Sequence, residues 1–134
     1  MKKRLIHTST LILLAAASAF AEQPIKAQIP FPFHVGGSVL PSGSYTVDSG
    51  VARDVLRFRS ADGKSSVMIL SHTVQSAAIP DKPKLVFNRY GDEYFLCQVW
   101  AGDDNGGHEL PKSRLEKEIA STAKHATKTL LAGK

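Results

Sequence analysis

Hydrophobic and polar positions alternate over residues 24–35. Ile25, Ala27, Ile29, Phe31, Phe33 and Val35 fall on one side; Lys26, Gln28, Pro30, Pro32 and His34 fall on the other. A period of two marks a half-buried strand. Backbone N–H groups two residues apart point the same way along a strand, so Pro30 and Pro32 remove donors from one edge only. The segment is therefore expected to be an edge strand, its outer side blocked against further pairing. Gly36-Gly37 and Leu40-Pro41-Ser42-Gly43 read as turns. Tyr45-Thr46-Val47 opens a strand that Ser49-Gly50 closes. Val51 to Arg59 and Lys64 to about Val74 form a hairpin across Asp62-Gly63, a type I′ signal. Its register sets Phe58 opposite Val67 and Leu56 opposite Ile69, with Arg57 and Arg59 on the wetter face.

The strongest pattern is KLVFNRYGDEYFLCQVW, from Lys84 to Trp100. Two runs rich in β-branched and aromatic residues flank Gly91-Asp92, a type II′ turn signal. The expected register pairs Tyr90 with Glu93, Phe87 with Leu96 and Val86 with Cys97. One face then carries Leu85, Phe87, Tyr94, Leu96 and Trp100, with Arg89 and Gln98. The other carries Val86, Phe95, Cys97 and Val99, with Asn88 and Lys84. Both faces are mostly apolar, so both need cover, and the hairpin belongs at the centre of the fold.

Beyond a Gly/Asp/Asn-rich loop at 102–107, the period changes. Ser113 with Glu116 three residues on forms a capping box, with Pro111 just upstream. Leu115, Ile119, Ala123, Ala126 and Leu130 recur at helical spacing, and Lys117, Lys124 and Lys128 lie nearly opposite. This predicts one amphipathic helix from near Ser113 into the tail, with a thin apolar stripe and fraying last turns. The fold class is mainly β: a small antiparallel barrel or twisted sheet of about six to seven strands with one C-terminal helix.

Composition adds the compartment. Lys2, Lys3 and Arg4 precede an apolar run from Leu11 to Phe20, and Ala19-Phe20-Ala21 is a cleavage site of the A-x-A kind. Such a segment is a secretory signal peptide, too short to span a bilayer. The expected organisation is a signal peptide over 1–21, a β-domain over 22–110 and a helical tail over 111–134, in an exported protein, periplasmic or extracellular. The formal charge of +5 includes three signal-peptide cations. Residues 22–111 hold 8 basic and 10 acidic side chains, and residues 112–134 hold 6 and 2. A basic tail on a slightly acidic body is not the footprint of a nucleic-acid binder. The one cysteine, Cys97, leaves no internal disulfide and shares its face with Phe95 and Val99, as a small core residue does.

Three stretches carry a resemblance. FPFHVGGSVLPSGSYTV, KLVFNRYGDEYFLCQVW and GGHELPKSRLEKEIA, in that order, resemble an uncharacterised family of small exported bacterial β-proteins with a RYGD-x-YFL hairpin and an ELPKSR helix start. The resemblance covers nearly the whole chain after the signal peptide. It implies the hairpin-plus-helix architecture and no catalytic residue.

Candidate chemistry is sparse. No serine sits in a G-x-S-x-G elbow, and His34, His72 and His108 lack metal-ligand spacing. Asp103-Asp104-Asn105-Gly106 lacks the alternation of a calcium loop. Asp92 and Glu93 share an exposed turn, where neither gains a raised pKa. Glu109 and Arg114 bracket the helix start as an ion pair or anchor. An interaction patch is offered by Arg89, Tyr90 and Tyr94, an aromatic surface with an arginine, and by Lys117, Lys124 and Lys128, a solvated stripe or a contact for anionic lipid. No cofactor and no metal are expected. The sequence thus points to a non-enzymatic binding or structural role at the cell envelope, with an unknown envelope component or protein as partner. Two alternatives remain. One is a barrel carrying an apolar ligand among Phe31, Phe33, Phe58, Leu85 and Phe87. The other is a small hydrolase whose carboxylates meet only in the fold.

Overall fold

A computed structural model describes residues 24–52, 54–102, 105–123 and 125–133. The signal-peptide segment, Asp103, Asp104 and Lys124 therefore lie outside the described residues. The strands are β1 (Ile25–Ile29), β2 (Phe33–Val35), β3 (Ser38–Leu40), β4 (Gly43–Ala52), β5 (Val55–Ser60), β6 (Ser66–Leu70), β7 (His72–Gln75), β8 (Lys84–Tyr90), β9 (Glu93–Trp100), β10 (Gly106–Glu109) and β11 (Thr127–Ala132), with one helix, α1 (Arg114–Thr122). They form a four-stranded sheet in the order β1-β4-β5-β6 and a seven-stranded sheet. The larger sheet runs β11-β8-β9-β10-β7, and β2 joins it beside β9 and carries β3. The fold is mainly β with one C-terminal helix, as expected. The two sheets do not close into a barrel, and the strands outnumber the six or seven expected.

The extra strands come from breaks that a period of two does not reveal. The alternation over 24–35 is one pattern but two strands. β1 is an edge strand of the small sheet, with Ile25, Ala27 and Ile29 buried between exposed Lys26 and Gln28. Pro30 and Pro32 end it, and β2 continues in the other sheet, so the prolines mark a crossing rather than a blocked edge. β6 and β7 are divided in the same way at Ser71. Gly50 does not end β4, which runs on to Ala52 past an irregularity in its pairing with β5.

The β5–β6 register is the expected one, with Phe58 opposite Val67 and Leu56 opposite Ile69. Its turn is not type I′, which needs a positive φ at both central residues; Asp62 has none. A longer loop is used instead. Gly63 N–H donates to Ser60 O at 3.0 Å, and Ser60 N–H to Ser65 O at 2.9 Å. Asp62 accepts from the Ser60 hydroxyl and from Lys64 N–H, which hold its carboxyl below the usual carboxylate range. The register survives because the loop is centred on the same dipeptide.

β8 and β9 turn at Gly91, whose φ is +61°, a left-handed value natural to glycine, while Asp92 keeps a negative φ, as type II′ requires. Tyr90–Glu93 and Phe87–Leu96 pair as expected. Val86 does not pair with Cys97: the register shifts, and Val86 faces Gln98. This β-bulge inserts one residue into β9 and reverses the alternation beyond it. Val99 accordingly joins Leu85, Phe87 and Leu96 in the core between the sheets, with Ile29, Phe33, Val47, Leu56 and Phe58. Trp100 turns to the opposite face with Val86 and Cys97. Lys84 lies 5.6 Å from the Trp100 ring centroid. Gly107 pairs with Trp100, and a Cβ there would stand 2.5 Å from the indole, so only glycine fits under the ring.

The helix starts as expected and stops early. Ser113 Oγ accepts from Glu116 N–H at 3.2 Å. α1 ends at Thr122 rather than running through Ala126 and Leu130. Ser121 and Thr122 bond their hydroxyls to the carbonyls of Glu118 and Ile119, and the threonines and leucines that follow form β11. That strand pairs along β8 from Thr127–Arg89 to Ala132–Lys84. Without it, the outer backbone of a buried strand would lack partners, and that cost outweighs a weak helical periodicity.

Phe87 is fully buried, with ring centroids 5.2 Å from Phe31 and 5.7 Å from Phe33 in edge-to-face contact. Replacing it with alanine leaves a cavity between the sheets and is expected to cost about 3–5 kcal/mol. A urea titration of Phe87→Ala beside the wild type measures this as a lowered midpoint.

Candidate functional site

The expected interaction patch is not assembled. Arg89 and Tyr94 do meet, with the guanidinium carbon 5.3 Å from the phenol ring centroid and Arg89 Nε donating to Gly91 O at 2.7 Å. Tyr94 stacks on Phe31 with centroids 3.7 Å apart, which leaves it half-buried. Tyr90 points to the other face of the hairpin and is buried. The lysine stripe is broken as well. Lys117 lies exposed on α1, and Lys128 lies on β11, its Nζ 3.7 Å from Cys97 Sγ. Cys97 is buried, and burial raises its thiol pKa against the opposing pull of Lys128. A neutral thiol is a packing group rather than a nucleophile.

Tyr90 serves an anchor that the sequence does not announce. Glu116, 3% exposed, accepts from Asn88 Nδ2 at 2.9 Å and from Tyr90 Oη at 3.2 Å. The second half of the expected capping box is thus replaced by a clamp from helix to sheet. Glu109 and Arg114 do not form that anchor: Arg114 pairs with Glu118 at 3.3 Å. Burial and the neighbouring Glu116 carboxylate raise the Tyr90 pKa.

Two histidines also take up internal roles. His34 is buried rather than exposed on a polar face. It stacks on Phe95 at 4.2 Å, and its Nε2 donates to Glu93 at 2.6 Å. His108 Nδ1 lies 3.1 Å from the hydroxyl of buried Ser71, at the corner between β6 and β7. Among the described residues, no three His, Cys, Asp or Glu side chains gather so as to hold a metal ion. None of their helices is long and apolar enough to cross a membrane. The expected lining of a carrier cavity, Phe31, Phe33, Phe58, Leu85 and Phe87, packs together as core instead.

One surface stands apart. β6 is the last strand of the small sheet, with β5 on one side. Val67 and Ile69 turn inward, but two of the three outward positions, beside Ser66, are also apolar: Met68 is 57% exposed and Leu70 68%. With Ala52, Val55 and Ile69 they line a shallow depression of about 320 Å³. Arg57, opposite Met68, is held by Asp48 at 2.8 Å. Edge strands of stable monomers carry charge, proline or a bulge. Ser66-Val67-Met68-Ile69-Leu70 carries neither charge nor proline, and it pairs with β5 without a register shift. The sequence signal was present: a half-buried strand alternates, whereas this run is apolar at four consecutive positions.

Two outcomes test the clamp. Glu116→Ala strands two buried donors and is expected to cost about 1–3 kcal/mol for each; Glu116→Gln keeps an acceptor and loses less, as chemical denaturation at neutral pH measures. The raised Tyr90 pKa stabilises the folded state fully below the ordinary tyrosine value of about 10. Above it the unfolded tyrosine ionises first, and this contribution is lost as pH rises through the folded value. Thermal melts through the alkaline range should fall more steeply for the wild type than for Tyr90→Phe.

Comparison with protein-family models, with curated proteins and with solved structures finds no match to this chain.

Proposed function

We propose that this chain is an exported, non-enzymatic β-module that acts at the cell envelope by strand pairing. It takes an extended protein segment along the outer edge of β6. The observation that carries this reading is the unguarded character of that edge: a terminal strand without charge or proline, with exposed Met68 and Leu70 on its outer face. An added strand gains main-chain hydrogen bonds along the edge, and its alternate side chains gain apolar cover in the depression beside Val55. Export rests on the basic start, short apolar run and cleavage site of residues 1–21.

Site-directed photocrosslinking tests the reading in the cell. A p-benzoylphenylalanine in place of Met68 is expected to give a protein adduct in the envelope fraction of the native host. The same group in place of exposed Lys117 is expected to give none. Equal labelling at both positions, or no adduct at position 68, removes the reading.

A further inference from the structure

The face of the small sheet turned away from the core has a basic half and an apolar half. Residues paired directly across antiparallel strands share a face. Lys26 on β1 pairs with Thr46 on β4, Thr46 with Arg59 on β5, and Arg59 with Ser66 on β6. Their chain neighbours Ile25, Ala27, Val47 and Phe58 are buried, so this row looks outward. The next row runs from Asp48 through Arg57 to Met68, and the one beyond it holds Val55 and Leu70. Lys26, Arg59, Met68 and Leu70 are all exposed.

Charge is sorted on this face. Residues 22–111 carry more acid than base. Yet the described outward positions of these four strands set Lys26, Arg57 and Arg59 against Asp48, which Arg57 already holds at 2.8 Å. At the β5–β6 turn, Lys64 and Asp62 attract one another. Neither Lys26 nor Arg59 forms an ion pair among the described residues. Two strand spacings, about 10 Å, separate them. Beside Lys26 lies a depression of about 420 Å³, lined also by the polar side chains of Gln28, Ser44 and Thr46.

We propose that this face docks on a bilayer that carries anionic phospholipid, with Lys26 and Arg59 at the phosphates and Met68 and Leu70 against the acyl boundary. The argument is complementarity of two kinds on one surface. A soluble polyanion would answer the cations and leave Met68 and Leu70 in water. A bilayer presents phosphate and hydrocarbon side by side and meets both. Each basic residue near such a surface strengthens partition about fivefold, so two of them give a reversible contact. This goes beyond strand pairing. It uses side chains of the sheet face, whereas pairing uses the backbone edge of β6, and either can fail alone.

Flotation of the purified mature protein with lipid vesicles tests the proposal. The protein should float with vesicles of phosphatidylglycerol and phosphatidylcholine in equal parts, and not with phosphatidylcholine alone. Lys26→Gln and Arg59→Gln should each lower partition about fivefold. Lys117→Gln, on the helix across the large sheet, should leave it unchanged. Raising the salt from about 0.1 M to about 1 M shortens the screening length from about 10 Å to about 3 Å and should release the protein. The double variant Met68→Ser with Leu70→Ser should bind several-fold more weakly, with an unchanged circular dichroism spectrum. No flotation with the anionic vesicles overturns the proposal, as does equal flotation with phosphatidylcholine alone. Equal losses in Lys117→Gln and Arg59→Gln also overturn it, since attraction would then come from the whole molecule. So does full binding without Met68 and Leu70, which would make a polyanion or an acidic protein the occupant.

Discussion

The two-sided burial of the β8–β9 hairpin is the constraint from which the rest of the structure follows. Leu85, Phe87, Leu96 and Val99 face one way; Val86, Cys97 and Trp100 face the other; all are nearly inaccessible to water. A sheet with two apolar faces needs a layer on each. The small sheet supplies one layer. On the other side α1 is tied down by its Glu116 carboxylate. A buried carboxylate is costly unless donors surround it, and Asn88 and Tyr90 provide them from one strand of the hairpin. That polar contact stabilises little by comparison with the core; it fixes where along the hairpin the helix lies.

Much of the architecture was legible because strong local signals agreed with the global fold. The glycine turn at Gly91, the Phe58–Val67 register and the Ser113 cap all occur where the residues indicate. The misplaced strand ends and faces share one cause: a break or bulge set by tertiary pairing leaves no mark in the hydrophobic period. The bulge beside Cys97 carries no glycine, so simple alternation puts Val99 and Trp100 on each other's faces. The Thr127–Ala132 run has apolar residues at spacings that suit a helix or a strand, and the open edge of β8 decided between them.

The candidate surface was legible in a different way. Arg89, Tyr90 and Tyr94 look like a contact patch because polar aromatic residues cluster in sequence, yet adjacent strand positions point to opposite faces. Tyr90 and Tyr94 therefore end on different sides of the hairpin. Met68 and Leu70 read as core in the sequence, because apolar residues in a strand suggest burial. Only the folded sheet shows that, among the described residues, the outward-facing Met68 and Leu70 are left uncovered.

The place of β11 also bears on how the molecule is made. β11 completes the flank of the largely buried β8, and some forty residues separate the two. During synthesis β8 therefore emerges long before the neighbour it needs. Until β11 has also been made, the nascent polypeptide lacks that pairing and is held open by the order of its own elements. Compaction follows only when β11 is available, at the slow pace of a topology built from distant pairings.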